Sequence, residues 1–233
     1  MAIGPSTQFE TDPDKIDWLA AYEDKAYMNH LAVALVVFGA ERFKAARIIS
    51  GIPHLEAIHT QHKKGIITLD TAAKSVLPFM MDWLIDEIRI CLFFENFMKA
   101  ELISQGAIIH TFRDPNPLPK RRWCWQKQKL SKAQQLHRAQ QKNPIDARSI
   151  ADNGIIKEPH RTTITMELMM SKNYQQTIRI PAEVLEVVKR YNRNRNKLHL
   201  TSEVGGQLGT KLIDELKLLD AFVDQQLKRI VHS

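Results

Sequence analysis

The chain has 233 residues, 44% hydrophobic and 25% charged, with a formal net charge of +7 and an isoelectric point near 9.4. This suits one substantial globular domain, or a domain with an insertion, and the positive excess leans toward a polyanionic partner. Two distant cysteines, Cys91 and Cys124, exclude a disulfide framework and a cysteine zinc site and fit a reducing compartment.

The N-terminal MAIGPSTQFETDPDKIDW lacks a basic start followed by an apolar core, so no secretory signal is read there. The longest uncharged apolar run, Leu31 to Ala40, is too short to span a bilayer. A soluble cytoplasmic protein with no membrane partner is expected. From about Ile16 to Ile49, Leu19, Tyr22, Ala26, Leu31, Leu35, Phe38 and Phe43 recur at three- and four-residue spacing and predict one long helix. Ser50-Gly51-Ile52-Pro53 ends it. A second helix is predicted from His54 to His62, closing at Lys63-Lys64-Gly65. A third, capped by Thr68 or Asp70, is expected to break or kink at Pro78.

Met80 to Gln105 reads as the central core helix, with Gly106 at its C-cap position. Its broad apolar face comprises Trp83, Ile85, Ile88, Leu92, Phe93, Phe97 and Leu102. Glu95 and Lys99 form an i,i+4 pair of favourable orientation; Glu95 could instead orient Arg193 if the two helices pack together.

Composition then changes. Between Arg113 and Arg148 stand ten basic residues against two acidic ones, Asp114 and Asp146. Pro115, Pro117 and Pro119 open this stretch, followed by KRRWCW and a run rich in glutamine and lysine with few apolar residues to bury. Residues 113–180 are therefore expected to form an insertion or excursion within a single helical domain covering 1–233. Thr162 to Ile180 is rich in β-branched residues around a central Ser-Lys-Asn and predicts a small β-hairpin. Pro181 opens the helix AEVLEVVKRYNRNRNKLH. After Gly205-Gly206, the stripe Leu208, Leu212, Leu216, Leu219, Phe222, Val223, Leu227 and Ile230 predicts a final amphipathic helix from Gln207 to Val231. The expected fold is mainly α: a helical bundle with a basic excursion and a small hairpin inserted ahead of the helix carrying Arg193.

Chemistry concentrates in YNRNRNKLHL, Tyr191 to Leu200, where Arg193, Asn194, Arg195, Asn196 and His199 stand without an acidic residue. Arginine grips a phosphate through a planar fork and stays charged, while histidine moves protons near neutral pH. Together they could cleave RNA without a metal: the 2′-hydroxyl attacks the adjacent phosphorus, His199 transfers a proton, and Arg193 stabilises the charged phosphorane. The spacing is loose, however, and Arg47 to His54 meets it too, across Gly51 and Pro53.

The segment Arg193-Asn194-Arg195-Asn196-Lys197-Leu198-His199 resembles the signature of the HEPN superfamily (higher eukaryotes and prokaryotes nucleotide-binding), an arginine followed by a polar residue and, a short distance on, a histidine. FFENFMKAELISQGAIIH, Phe93 to His110, is similar to the glycine-terminated helix these all-helical domains carry before the motif, and a helix follows it here as there. The resemblance covers the two ends of residues 80–231 and not the middle. It implies homodimers with two motifs facing across a cleft, and metal-independent endoribonuclease activity in many members. Arg193, Asn194 and His199 are then the catalytic residues, in a toxin or defence effector that has an antitoxin or regulatory protein as partner. Other members are inactive and serve as binding or scaffold domains.

Lys120, Arg121, Arg122, Lys127, Lys129 and Arg195 are candidate RNA contacts. In the first five, cations interleave with Trp123 and Trp125, whose rings can stack on unpaired bases or anchor the stretch to the bundle. His59 and His62, three apart, with Glu56 and nearby His54, could begin a metal site, but no further ligand stands at a persuasive spacing. No metal or cofactor is expected. There is no Walker loop, Rossmann fingerprint or Gly-x-Ser-x-Gly turn. Two other readings stay open: a non-catalytic RNA-binding or partner-binding module using residues 113–148, and a structural bundle in which residues 193–199 are a solvated helix end.

Overall fold

The computed structural model describes residues 18–112, 132–148, 163–197 and 210–231. Among them the regular structure is helical, with two isolated bridges in place of strands. No helix among the described residues is long and apolar enough to cross a membrane.

The long first helix of the sequence reading is divided. α1 covers Trp18–Glu23 and α2 covers Lys25–Lys44. Asp24 causes the division: its Oδ1 accepts from the backbone N–H of Ala26 and Tyr27 at 2.9 and 3.0 Å, an N-cap that starts α2 afresh. The short α3, Arg47–Ser50, starts at Ala46, which has no capping side chain. Asp86 supplies the missing acceptor from elsewhere in the chain, taking the Ile48 N–H on Oδ2 at 2.8 Å. α4, Ile52–Lys63, carries proline in its first turn. It ends as expected at Gly65, in the left-handed region at φ 71°, with Ile66 N–H bonded to Gln61 and Gly65 N–H to His62.

α5, Leu69–Ser104, is a single helix of 36 residues. Thr68 caps it by accepting the Thr71 N–H at 3.2 Å. The expected break at Pro78 does not occur. Pro78 lies on an exposed side, where the carbonyl it deprives of a partner can be hydrated. A second assignment also changes: Ile85, Ile88 and Leu92, read as part of the core face, are exposed, whereas Phe93, Phe94 and Phe97 are buried.

After α6, Lys132–Gln140, come α7, Met166–Met169, and α8, Lys172–Ile178. These two helices replace the hairpin expected over Thr162 to Ile180. Thr165 caps α7 by accepting the Leu168 N–H, and the buried Met166, Met169, Met170, Tyr174 and Ile178 recur at helical spacing. That period outweighs the β-branched composition. α9, Ala182–Lys197, starts with the Pro181 carbonyl accepting the Leu185 N–H, and α10 covers Thr210–Val231.

The chain divides into two compact units. One comprises Met1–His30 with Leu102–Ile164, and its second segment overlaps the 113–180 stretch that composition set apart. Its core joins Ile108, Phe112 and Ile145, with Tyr22 and Leu136 packed against them. Tyr22 Oη accepts the Ile109 N–H at 3.0 Å and meets His110 Nδ1 at 2.7 Å, and burial raises its pKa.

The other unit comprises Leu31–Glu101 with Thr165–Ser233. In it α10 packs on α3, α4 and α9. The Phe222 ring lies 5.6 Å from Phe94 and 5.2 Å from Phe97, and Phe93 meets Phe43 at 5.7 Å. This aromatic cluster supplies more stabilisation than area alone, since each such pair adds about 1 kcal/mol. Ion pairs surround it: Lys44 with Asp220 and Asp224 at 2.6 and 2.8 Å, Arg190 with Glu215, and Arg229 with Glu101.

Candidate functional site

The motif helix α9 lies against α5 within this second unit. Val184, Val187, Val188 and Tyr191 are buried, and the Tyr191 ring stacks on Trp83 with centroids 6.3 Å apart. Trp83, Glu87, Cys91, Glu95 and Lys99 recur every four residues and form one ridge along α5.

Glu87 is 3% exposed. Its Oε1 accepts from Trp83 Nε1 at 2.8 Å and from Asn194 Nδ2 at 3.2 Å. Burial pushes the Glu87 pKa up, while these two hydrogen bonds oppose the rise. Two turns along, Glu95 Oε2 lies 3.5 Å from Arg195 Nη1, and its Oε1 accepts from Lys99 Nζ at 2.8 Å. The Glu95–Lys99 pair is therefore formed as read from the sequence, and the arginine that Glu95 meets on α9 is Arg195 rather than Arg193. A step of two residues turns the helix by about 200°, so Arg193 faces nearly opposite to Tyr191, whereas Asn194 and Arg195 reach the ridge beside Tyr191.

Between the two carboxylates sits Cys91, buried, its thiol pushed up to about 12 by burial despite the nearby Arg195 guanidinium. It stays protonated at neutral pH and is no nucleophile. Burial, with Glu87 and Glu215 nearby, likewise raises the Tyr191 hydroxyl. Tyr191 Oη has no hydrogen-bond partner among the described residues, nor do the buried Asn192 Oδ1 and Gln226 Oε1.

Arg193 is exposed, and no hydrogen bond or ion pair holds it among the described residues. Its charge acts on Glu186, two turns earlier on the same face, helping Lys189 to lower that carboxyl's pKa. His199 lies outside the described residues, as do Lys120, Arg121, Arg122, Lys127 and Lys129. Of the sequence-predicted residues, the structure thus brings Asn194 and Arg195 to the α5 ridge and leaves Arg193 facing outward. Glu87 escaped sequence reasoning, because nothing in the sequence tells which acidic residue of a long helix faces inward.

The histidine cluster has other engagements. The His54 ring packs on Phe79 at 5.6 Å, His62 Nδ1 lies 3.3 Å from the Ile67 carbonyl, and Glu56 pairs with Lys217. Among the described residues no group of three or more His, Cys, Asp or Glu is placed to hold a metal ion. No family model, curated protein or solved structure matches the chain.

Proposed function

We propose that the C-terminal end of α9 serves a metal-independent endoribonuclease of HEPN type. One observation carries the reading. Of three consecutive polar residues, Asn194 and Arg195 are tied to carboxylates of α5, while Arg193 stands exposed without an anionic partner within hydrogen-bonding reach among the described residues. Fixing two neighbours in this way presents the third as an ordered cation, the arrangement a phosphate-binding arginine needs.

In this reading Arg193 holds the scissile phosphate and stabilises the charge that develops on it. Asn194 gives one amide hydrogen to Glu87 and keeps the other, with its carbonyl oxygen, for the sugar–phosphate backbone. His199 moves the proton: the 2′-oxygen bonds to phosphorus, the bond to the 5′-oxygen breaks, and the products are a cyclic phosphate and a 5′-hydroxyl. The test is cleavage of single-stranded RNA in EDTA by the wild type and by His199→Ala. The wild type should cut, with a loss of ~100-fold or more in the variant. Equal cleavage by both, or none by the wild type, overturns the assignment.

A second reading rests on the same ties. If the carboxylates hold α9 for structure alone, the protein binds RNA through the basic stretch 113–148 without cleaving it. Binding would then weaken steeply with salt, be reduced by neutralising Lys120, Arg121 and Arg122, and ignore His199→Ala.

A further inference from the structure

Trp83 of α5 is held on two sides. The Tyr191 ring covers one face of the indole, its plane within 26° of parallel, and the indole N–H is given to Glu87 Oε1 at 2.8 Å. Tyr191 and Glu87 are themselves buried, so the ring is fixed in place. Trp83 is nevertheless half-buried, and the part in solvent lies on the face and rim that these two contacts leave uncovered. Tryptophan is often incompletely buried, so this alone would say little. Its neighbour gives it meaning.

The same oxygen, Glu87 Oε1, also accepts from Asn194 Nδ2 at 3.2 Å. One acceptor thus gathers the indole N–H and the Asn194 amide, whose nitrogens lie within about 6 Å of each other, the two bonds laid end to end. Asn194 is exposed and directly follows the exposed Arg193. An aromatic surface, a hydrogen-bonding amide and a cation therefore stand in succession around the end of α9. A nucleotide carries the matching groups in the same succession: a base with a π-face, a ribose with hydroxyls, and a phosphate.

We propose that Trp83 is the platform on which an unpaired base of the RNA stacks, with Asn194 on the ribose of that nucleotide and the adjoining phosphate at Arg193. The inference rests on the reading above for where the phosphate lies, and not for whether it is cut. A duplex keeps the faces of its bases inside its own stack, so the RNA taken here is single-stranded. Every base has a π-face, so the platform supplies affinity and register rather than a choice of sequence. Because Tyr191 and Glu87 hold the ring before RNA arrives, binding need not order it.

The test uses a short strand of 2′-O-methyl adenosines, which lacks the attacking hydroxyl and cannot be cut, and an abasic 2′-O-methyl strand of equal length and charge. The wild type should bind the base-bearing strand ~10-fold or more tighter, with quenching of its tryptophan emission. Trp83→Leu should bind both strands alike, close to the wild-type affinity for the abasic one. Trp83→Phe keeps a stacking ring, so it should keep the preference and lose the share of quenching that Trp83 carries. Circular dichroism checks that both variants fold; if Trp83→Leu does not, the quenching in Trp83→Phe decides alone. No binding by the wild type, or a preference unchanged in Trp83→Leu, overturns the proposal. So does equal weakening toward both strands, or quenching as deep in Trp83→Phe as in the wild type, since either makes Trp83 a packing residue only. A Trp83-dependent preference in a protein that leaves ordinary RNA intact would sink the nuclease assignment and keep the platform. Cleavage without that preference would do the reverse.

Discussion

Asp86 and Glu87 are adjacent and both buried, yet their carboxylates serve different helices. Asp86 accepts the Ile48 N–H that starts α3 at 2.8 Å and faces Arg89 at 3.2 Å. Glu87 accepts from Asn194 of α9. Successive residues of a helix diverge by ~100°, so one turn of α5 organises two neighbours. Asp86→Ala leaves a buried N–H without an acceptor and Arg89 without its carboxylate. It should cost about 1–3 kcal/mol in chemical denaturation, whereas Asp86→Asn, which keeps an acceptor oxygen, should cost less.

The raised pKa of Glu87 gives a pH signature. Burial disfavours its charged form in the folded state, so its contribution is fully present below the ordinary value of 4.5 and is lost as pH rises through the higher folded value. Glu87→Gln keeps an oxygen for Trp83 and Asn194 and cannot ionise. The stability of the variant relative to wild type should therefore improve on going from pH 4 to pH 7, as read from denaturation midpoints. A constant difference across that range would rule out burial of the charge as its cause.

Gly51 is required for space rather than for conformation. Its φ of −87° suits any residue, but an added Cβ would stand 2.2 Å from Phe79 Cε1 and 2.9 Å from the Arg47 carbonyl oxygen. The Phe79 ring would have to leave its place beside His54 and beneath the Arg47 guanidinium. Gly51→Ala should destabilise by about 1–2 kcal/mol, overpacking outweighing the entropy gained in the unfolded chain.

Arg179 presents the opposite case. It closes α8 in the left-handed region, φ 61° and ψ 44°, a conformation that costs a side-chain-bearing residue about 1 kcal/mol. Arg179→Gly should raise the melting temperature by a few degrees, because its exposed bond to the Gln176 carbonyl, at 3.4 Å, contributes little.

Much of the bundle was legible from local chemistry. Thr68, Gly65, Gly106 and Pro181 mark helix ends by mechanisms that act within a few residues, and Glu95–Lys99 is an intrahelical pair. What escaped depended on distant partners. Ile85, Ile88 and Leu92 belong to a helix that is apolar on two sides, and periodicity cannot say which side meets its own core. The choice between Arg193 and Arg195 for Glu95 turned on the rotation of α9 against α5, which spacing alone leaves open. The division at Asp24 was missed because an apolar pattern can continue across a cap.

Phe97 and Phe222 have a consequence for how the protein is made. The core they share draws on two stretches of chain, Leu31–Glu101 and Thr165–Ser233, with much of the other unit encoded between them. During synthesis α5 leaves the ribosome well before α9 and α10 exist. At ~5–20 residues per second it waits several seconds with its phenylalanines and Glu87 uncovered. Non-local closure of this kind is slow to begin. The nascent chain is therefore most open to chaperones, and to mispairing with its neighbours, in the interval before Phe222 arrives.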